Sequence, residues 1–406
     1  MPALRPGTSP RAGGLLGLAL VLAAALTTPA LAAAGPGATL PSPAGDCPST
    51  RGVAAPKATP WAQPALGFTS VWPLTRGAGV TVAVVDSGMD GNPQFENRII
   101  EGLDLAPASA GVPADADCVG HGTSVASIIA AAPVPGVSFT GVAPAADVLS
   151  IKITNSDSFP GSLAAQAVRA AVTAGAQVIN LSLATTVSTP ALASAVRFAQ
   201  ASNVVVVAAA GNDSSDAGSG PFYPAAYPGV LSVGAVGPDG SLASFSDTRT
   251  PVSVTAPGAD VTAAYPGVFP RSYNPASNGT SFATAFVSGV AALVRAAHPD
   301  LTQSQVVARI TATADGGAGP GTGHGLVSPV QAVTAILPAT SPGASPAAPS
   351  PARVQVDRAP RPDHAASIAL PLAVAGGGLA VLVVAAAVIV PAGRRRHWRP
   401  GPSSQP

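Results

Sequence analysis

Three side chains with complementary chemistry stand at the ends of predicted elements, in the order Asp, His, Ser. Asp86 ends the apolar run VAVVD, His121 opens the helical stretch HGTSVASIIAA, and Ser281 opens a second such stretch, SFATAFVSGVAAL. A serine hydroxyl is a weak nucleophile until an imidazole takes its proton, and a carboxylate fixes the tautomer of that imidazole. These three residue types predict nucleophilic catalysis, in which Ser281 is the nucleophile, His121 is the base and Asp86 orients the imidazole of His121.

A fourth candidate follows another strand-like run. Asn212 comes directly after VVVVAAAG. A side-chain amide at the end of a strand can donate a hydrogen bond to an oxyanion that develops during acyl transfer. We therefore expect Asn212 to stabilise negative charge beside the other three groups.

The elements that position these groups alternate between two kinds. Apolar, β-branched runs predict strands at 80–85, 148–153, 178–183, 204–209 and 230–236, and Ala-rich stretches predict helices at 121–132, 162–174, 189–201 and 280–297. Such alternation predicts an α/β fold in three layers, with a mainly parallel central sheet and helices on both faces. Ligands of these sheets bind beyond the carboxyl ends of the strands, where the candidate residues fall.

The composition of the chain excludes some other classes of protein. The chain has 406 residues, of which 47% are hydrophobic and 10% charged, with a formal net charge of +1. This composition excludes disorder throughout, and it argues against a nucleic-acid partner, which needs clustered Lys and Arg. The 44 Gly and 44 Pro residues indicate that part of the length is linker.

The N-terminus has the order of a signal peptide, predicted at 1–32. Arg5 and Arg11 precede an apolar run at 14–26, and Ala30-Leu31-Ala32 forms a small-residue cleavage site. An uncleaved N-terminal anchor is the alternative. The pattern predicts export.

The C-terminus predicts a single membrane span. Residues 366–390 are uncharged and apolar, and as a helix they would extend about 37 Å, against about 30 Å for a bilayer core. A buried core helix is the alternative. Residues 338–365 form a Pro, Ala and Ser-rich linker, and the tail 391–406 carries an Arg cluster typical of the cytoplasmic side. We expect a single-pass cell-membrane protein whose globular part, 61–337, is extracytoplasmic.

The motifs of that globular part resemble those of the subtilisin-like serine proteases, the subtilases. VAVVDSGMD, GHGTSVA, VINLSL, AAAGND, YPAAYPGVLSVGAV, APG and NGTSFATAFVSG occur in that order. The resemblance covers 61–337 and implies a peptidase S8 domain with serine endopeptidase activity, Asp86, His121 and Ser281 as the triad, and Asn212 as oxyanion donor.

The same resemblance implies a binding edge for an extended peptide, which would pair as an added strand. One side of it would be Ser182, Leu183 and Ala184, and the other side Ala209, Ala210 and Gly211. The sequence departs from the usual pattern twice: Ala184 stands where glycine is usual, and Ser124 stands where many secreted subtilases have a second histidine.

Further features resemble the mycosins, membrane-anchored subtilases that accompany type VII secretion systems. They are Cys118 three residues before His121, Cys47 in an N-terminal extension at 33–60, the Pro-rich linker, the span and the Arg tail. This implies an outward-facing endoprotease that processes secreted proteins and supports the secretion membrane complex. A broad surface protease unrelated to secretion and a mainly structural scaffold remain alternatives.

The two cysteines are predicted to pair. A Cys47–Cys118 bridge would close a loop of about 70 residues and stabilise the fold by roughly 4 kcal/mol; two free thiols are the alternative. The extension is too short for a folded inhibitory prodomain, so we expect it to wrap the domain and activity to need no N-terminal trimming.

No cofactor or metal is expected. The loop AAAPVPGVSFTG, where related enzymes often bind calcium, offers only Ser138 and Thr140 as polar side chains, whereas calcium takes six to eight oxygen ligands.

His298 and His324, the other histidines of the globular part, are predicted to be non-catalytic.

Overall fold

The computed structural model describes residues 52–106, 116–155, 161–212, 220–317, 319–337 and residue 391. The predicted signal peptide, most of the extension with Cys47, the linker, the span at 366–390 and the tail beyond residue 391 lie outside this range. The chain divides into two units, Met1–Leu337 and Pro338–Pro406, and the helices and strands below belong to the first.

A parallel sheet of seven strands forms the centre of the domain. Its strands are β1 (Thr81–Asp86), β2 (Ile99–Asp104), β3 (Asp147–Lys152), β4 (Val178–Leu181), β5 (Val205–Ala209), β6 (Leu231–Val236) and β7 (Val254–Pro257). They lie in the order β2-β3-β1-β4-β5-β6-β7, so the connections that leave the neighbouring strands β1 and β4 run in opposite directions across the sheet. A separate antiparallel hairpin pairs β8 (Val261–Ala264) with β9 (Tyr273–Ser277).

Helices cover both faces of the sheet. They are α1 (Ala62–Leu66), α2 (His121–Ala130), α3 (Gly161–Thr173), α4 (Pro190–Ala201), α5 (Thr280–Ala297), α6 (Gln303–Ala312) and α7 (Pro329–Thr334), with a 3₁₀ turn at Phe68–Val71. Alternate residues of β1 enter two separate apolar cores: Val82 and Val84 pack with α2 and α5, and Ala83 and Val85 pack with α3 and α4. The three-layer, mainly parallel architecture is confirmed.

The predicted elements are found with small shifts. Helix α2 ends at Ala130, two residues early, because Ala131 is extended and Pro133 disfavours helical geometry in the residue before it. The strand predicted to reach 183 stops at Leu181. Strands β2, β7, β8 and β9 were not predicted.

Helix α5 is the central core helix. Within the described part of the chain it is the one helix long and apolar enough to cross a membrane, and 89% of its most apolar stretch is buried inside the domain. Its apolar character is therefore accounted for by the core.

The last residues of the predicted extension lie along the hairpin. Val53 exchanges two backbone hydrogen bonds with Tyr273, at 2.7 and 3.3 Å, and the Ala55 N–H donates to the Pro270 carbonyl at 2.8 Å. The Ser138 hydroxyl donates to the Lys57 carbonyl at 2.6 Å. The chain entering the domain is thus fixed to β9 and to the loop after α2.

Candidate active site

A cleft of about 490 Å³ opens at the carboxyl ends of β1, β4 and β5, next to the point where the connections leaving β1 and β4 run in opposite directions. Ligands bind at this point of open parallel sheets because the loops on either side diverge there. The four predicted catalytic residues all line the cleft: Asp86, His121, Asn212 and Ser281.

Asp86 and His121 are in direct contact. The imidazole Nδ1 lies 2.8 Å from Oδ1 and 3.0 Å from Oδ2 of the carboxylate, which is 7% exposed. An ionised carboxylate can only accept, so Nδ1 carries the hydrogen and Nε2 is left as the acceptor. The backbone N–H of Ser87 also donates to Oδ1, at 2.8 Å, and holds the carboxylate in place. This is the arrangement that a general base requires.

Two glycines allow His121 to stand at the first turn of α2. Gly120 has φ of 85°, and a Cβ there would lie 2.3 Å from the ring of Tyr265. A Cβ on Gly122 would lie 2.1 Å from the Gly88 carbonyl oxygen. The close approach of the loop after β1 to α2, which brings His121 to Asp86, therefore needs glycine at 122, and the packing of Tyr265 against the turn before His121 needs glycine at 120.

Sequence reasoning missed a buried carboxylate that organises this loop. Asp117, 2% exposed, accepts hydrogen bonds from the Gly120 N–H at 2.8 Å, the Thr123 N–H at 2.8 Å and the Ser87 hydroxyl at 2.8 Å. Burial raises the pKa of Asp117, and the hydrogen bonds partly oppose that shift. Through these contacts Asp117 joins the turn before His121 to the residue after Asp86.

Ser281 stands in the first turn of α5. The first four N–H groups of a helix have no partner within the helix, so the Ser281 N–H is a candidate donor to the cleft. Ser281 is 8% exposed, and two hydrogen bonds join it to Ser182, the residue after β4: its hydroxyl donates to the Ser182 carbonyl at 3.3 Å, and the Ser182 hydroxyl donates to the Ser281 carbonyl at 2.9 Å. Phe282 packs its ring against that of His121, with 5.4 Å between centroids. The starts of α2 and α5 therefore meet at the cleft.

Asn212 is oriented by α5. Its Oδ1 accepts from both the N–H and the hydroxyl of Thr280, each at 2.8 Å. Because the oxygen is engaged, the amide Nδ2 is the group left to donate at the cleft, beside Ser281. Thr280 was not singled out in the sequence, although it lies directly before Ser281.

Both predicted peptide-binding segments contribute to the wall of the cleft. Five of their six residues form its wall: Ser182, Leu183, Ala184, Ala209 and Gly211. Ala210 instead donates its N–H to the Val233 carbonyl at 3.0 Å. Beyond Ala184, Thr185 and Tyr223 exchange backbone hydrogen bonds of 2.9 and 2.8 Å.

The remaining predicted residues have structural contacts. Ser124 is buried, with its hydroxyl 2.8 Å from the carbonyls of Gly120 and Ala264, so it joins α2 to β8. His298 caps α5, with its Nε2 2.8 Å from the Val333 carbonyl, and His324 Nδ1 lies 3.1 Å from the Ser253 carbonyl. Neither of these two histidines lines the cleft.

Cys118 is disulfide-bonded. Because Cys47 lies outside the described residues, its pairing with Cys118 stays a prediction. Among the residues that the structure describes, no group of three or more His, Cys, Asp or Glu side chains comes together as a candidate metal site.

A comparison of the sequence with known protein families agrees with the fold and with the residues of this cleft. Residues 77–329 match the subtilase family, peptidase S8, so the chain belongs to the subtilases.

Within that family the chain is similar to the mycosins. It is 34% identical over 333 residues to Mycosin-1 of Mycolicibacterium smegmatis, covering 69% of this chain and 73% of that protein. The crystal structure of MycP1 from Mycobacterium smegmatis superposes with a TM-score of 0.62 at 32% identity, covering 72% of this chain and 90% of that one. The MycP3 protease from the type VII (ESX-3) secretion system superposes with a TM-score of 0.60 at 33% identity, covering 73% and 95%.

Proposed function

We propose that this chain is a membrane-anchored serine endopeptidase that cleaves exported proteins and supports a type VII secretion complex. The observation that carries the catalytic part is the contact of His121 Nδ1 with Asp86, inside the cleft that also contains Ser281 and Asn212. The mycosin relatives support the secretion part.

The chemistry follows from the acceptor nitrogen of the His121 imidazole, Nε2. Nε2 takes the proton of the Ser281 hydroxyl as its oxygen attacks the carbonyl carbon of a peptide bond, and Asp86 stabilises the imidazolium that forms. The imidazolium then returns the proton to the leaving amine, which departs and leaves an ester on Ser281. Water, deprotonated by the same imidazole, hydrolyses that ester and restores the serine.

Charge that develops on the carbonyl oxygen needs donors that are already in place. The Asn212 Nδ2 and the Ser281 N–H lie at the start of α5, where the helix dipole also favours negative charge. The Thr280 contacts to Oδ1 keep Asn212 in this orientation before substrate arrives.

Substitution of Asn212 by alanine is expected to lower kcat by about 10²- to 10³-fold, the magnitude known when such a donor is removed from subtilisin. KM should change little, because the donor acts mainly on charge that appears in the transition state. Peptide hydrolysis by the purified outward domain measures this, with the exposed Asn97→Ala as control. A loss below threefold for Asn212→Ala would contradict the assignment.

The proposed location is inferred from the predicted signal peptide and the predicted membrane span. They place residues 61–337 on the outer side of the cell membrane, with the Arg-rich tail in the cytoplasm. There the domain would encounter proteins after export, in extended form suited to the edge at 182–184.

The secretion role is tested in the organism that encodes the chain. A strain that lacks it is complemented with wild type or with Ser281→Ala, and both the amounts and the N-termini of its exported proteins are measured. We expect the wild type to restore both the amounts and the cleaved termini, and Ser281→Ala to restore the amounts alone. Normal secretion without the chain, together with changed termini on many unrelated surface proteins, would instead establish the broad surface protease.

A further inference from the structure

The carboxylate of Asp247 is buried and has no part in the chemistry above. It is 0% exposed and does not belong to the cleft wall. Its Oδ1 accepts hydrogen bonds from the Arg249 N–H at 2.9 Å, the Thr250 N–H at 2.8 Å and the Thr250 hydroxyl at 3.0 Å. Its Oδ2 accepts from Arg249 Nε at 2.8 Å and lies 2.6 Å from Arg249 Nη2. Because a buried charge is costly unless it is paired and hydrogen-bonded, these contacts fix the loop 247–250 in one conformation.

The loop that Asp247 fixes is joined to the residue before Asn212. The Asp247 N–H donates to the Gly211 carbonyl at 3.0 Å. At the other end of that residue, the Gly211 N–H donates to the Thr280 hydroxyl at 3.3 Å, and the same hydroxyl donates to Asn212 Oδ1. Both polar backbone groups of Gly211 are therefore engaged, one by the Asp247 loop and one by the start of α5.

The ring of Phe222 contacts the same glycine. Gly211 has φ of 112°, and a Cβ built on it would lie 2.4 Å from a carbon of the Phe222 ring, so the ring packs directly on the backbone. The Phe222 N–H donates to the Thr250 hydroxyl at 2.9 Å, and the Arg249 guanidinium lies 5.6 Å from the ring centroid, within cation–π range. Because Thr250 and Arg249 are the two residues that bind the Asp247 carboxylate, the position of the ring depends on that carboxylate too.

We propose that Asp247 is a positioning residue for oxyanion stabilisation: it holds Gly211, through its own N–H and through Phe222, and thereby fixes the place of the Asn212 amide. This inference rests on the proposed endopeptidase function. A donor stabilises a developing oxyanion effectively only when it is in place before the charge appears. Thr280 orients the amide at its oxygen, and Asp247 fixes the backbone from which the side chain of Asn212 extends.

The first test is Asp247→Asn, which keeps the size of the side chain and removes its charge. The asparagine oxygen can keep the three contacts of Oδ1, and its amide nitrogen would then face the Arg249 guanidinium, a donor against a donor. We expect kcat of the full chain on a fixed peptide to fall by about 10- to 100-fold, since a displacement of about 1 Å is enough for such a loss. KM should change by less than about twofold, because the oxyanion donor acts mainly on the transition state.

A double-mutant cycle with Asn212→Ala distinguishes a positioning role from a general loss of structure. Without the Asn212 amide there is no donor left to position, so Asp247→Asn should lower kcat by less than about threefold in the Asn212→Ala background. An equal loss in both backgrounds, or a loss below about threefold in the wild-type background, would overturn the proposal. Each rate is divided by the concentration of sites that a fluorophosphonate labels at completion, so that unfolded molecules are not counted.

Phe222→Leu is a second variant that reaches Gly211 without changing the buried charge, and it decides the question if Asp247→Asn does not fold. It should lower kcat less, by about 3- to 10-fold, because leucine keeps part of the packing on the glycine. In the Asn212→Ala background it should have almost no effect on kcat. The same loss in both backgrounds would count against the positioning role.

Matched controls lie outside the cleft. The Asp315 Oδ1 accepts from the Leu326 N–H at 2.6 Å, a contact between a carboxylate and a loop N–H that Asp315→Asn can keep. Phe198, on the exposed side of α4, also stacks on an arginine, Arg169, at 5.1 Å. Asp315→Asn and Phe198→Leu should leave both kcat and KM unchanged.

Labelling with the fluorophosphonate also separates the two levels of the proposal. A folded wild type that is not labelled overturns the catalytic assignment itself. A labelled wild type in which the losses from Asp247→Asn and Asn212→Ala multiply overturns the positioning role alone.

Discussion

Replacing Ser281 or His121 by alanine is expected to abolish peptide hydrolysis, with kcat falling by about 10⁶-fold for either change. The two losses should be equal and not additive, because without its base the Ser281 hydroxyl is as unreactive as a missing one. Labelling by a serine-directed fluorophosphonate should disappear in both variants.

Controls for this experiment lie outside the cleft. Ser304→Ala in α6 and His324→Ala in the loop after it remove the same side-chain types, and both should label like the wild type. Labelling that survives in Ser281→Ala would identify another nucleophile. A folded wild type that is not labelled would favour the scaffold alternative or an occluded cleft.

Asp86→Asn should cost about 10⁴-fold in kcat while the domain stays folded. The Ser87 N–H donates to Oδ1 of Asp86, so an asparagine would keep its oxygen at that position and place its amide nitrogen at the position of Oδ2, 3.0 Å from His121 Nδ1. A donor at that position opposes the hydrogen on Nδ1 and favours the tautomer with its proton on Nε2, in which His121 lacks the acceptor that Ser281 needs.

The measurement is kcat on a fixed peptide together with the melting temperature. Asp90→Asn, four residues further on, is the matched control, since the Asp90 carboxylate accepts from the Gly91 N–H, a contact that an asparagine oxygen can keep. If Asp86→Asn kept a tenth of the activity or more, Asp86 would not be the orienting group.

The candidate site could be predicted from the sequence because the residues proposed to react stand at the ends of long, strongly patterned elements. Asp86 ends a strand buried on both faces, and His121 and Ser281 begin two buried helices, so the alternation of elements alone places all three at one edge of the sheet. The same alternation predicted the three layers.

What escaped prediction depends on contacts between distant residues. Asp117 lies in a short polar stretch with no periodicity, and its role becomes visible only when the turn before α2 folds against the residue after β1. Phe222 is one apolar residue in a loop, and its place in the cleft wall depends on Gly211 and Arg249, which approach it from separate segments. Strands β7, β8 and β9 are four or five residues long, too short for a period to stand out.

The helix that carries Ser281 is also the centre of the core. The proposed reactivity of Ser281 therefore depends on the domain being folded. Residues of α5 from Thr280 to Arg295 are buried, so the helix cannot leave its place without loss of the main apolar cluster. A partly unfolded molecule should therefore be unable to cleave other copies of the protein. Titration with an irreversible serine reagent would then count the intact molecules in a preparation, and the fraction that reacts would follow the cooperative melting curve of the whole domain.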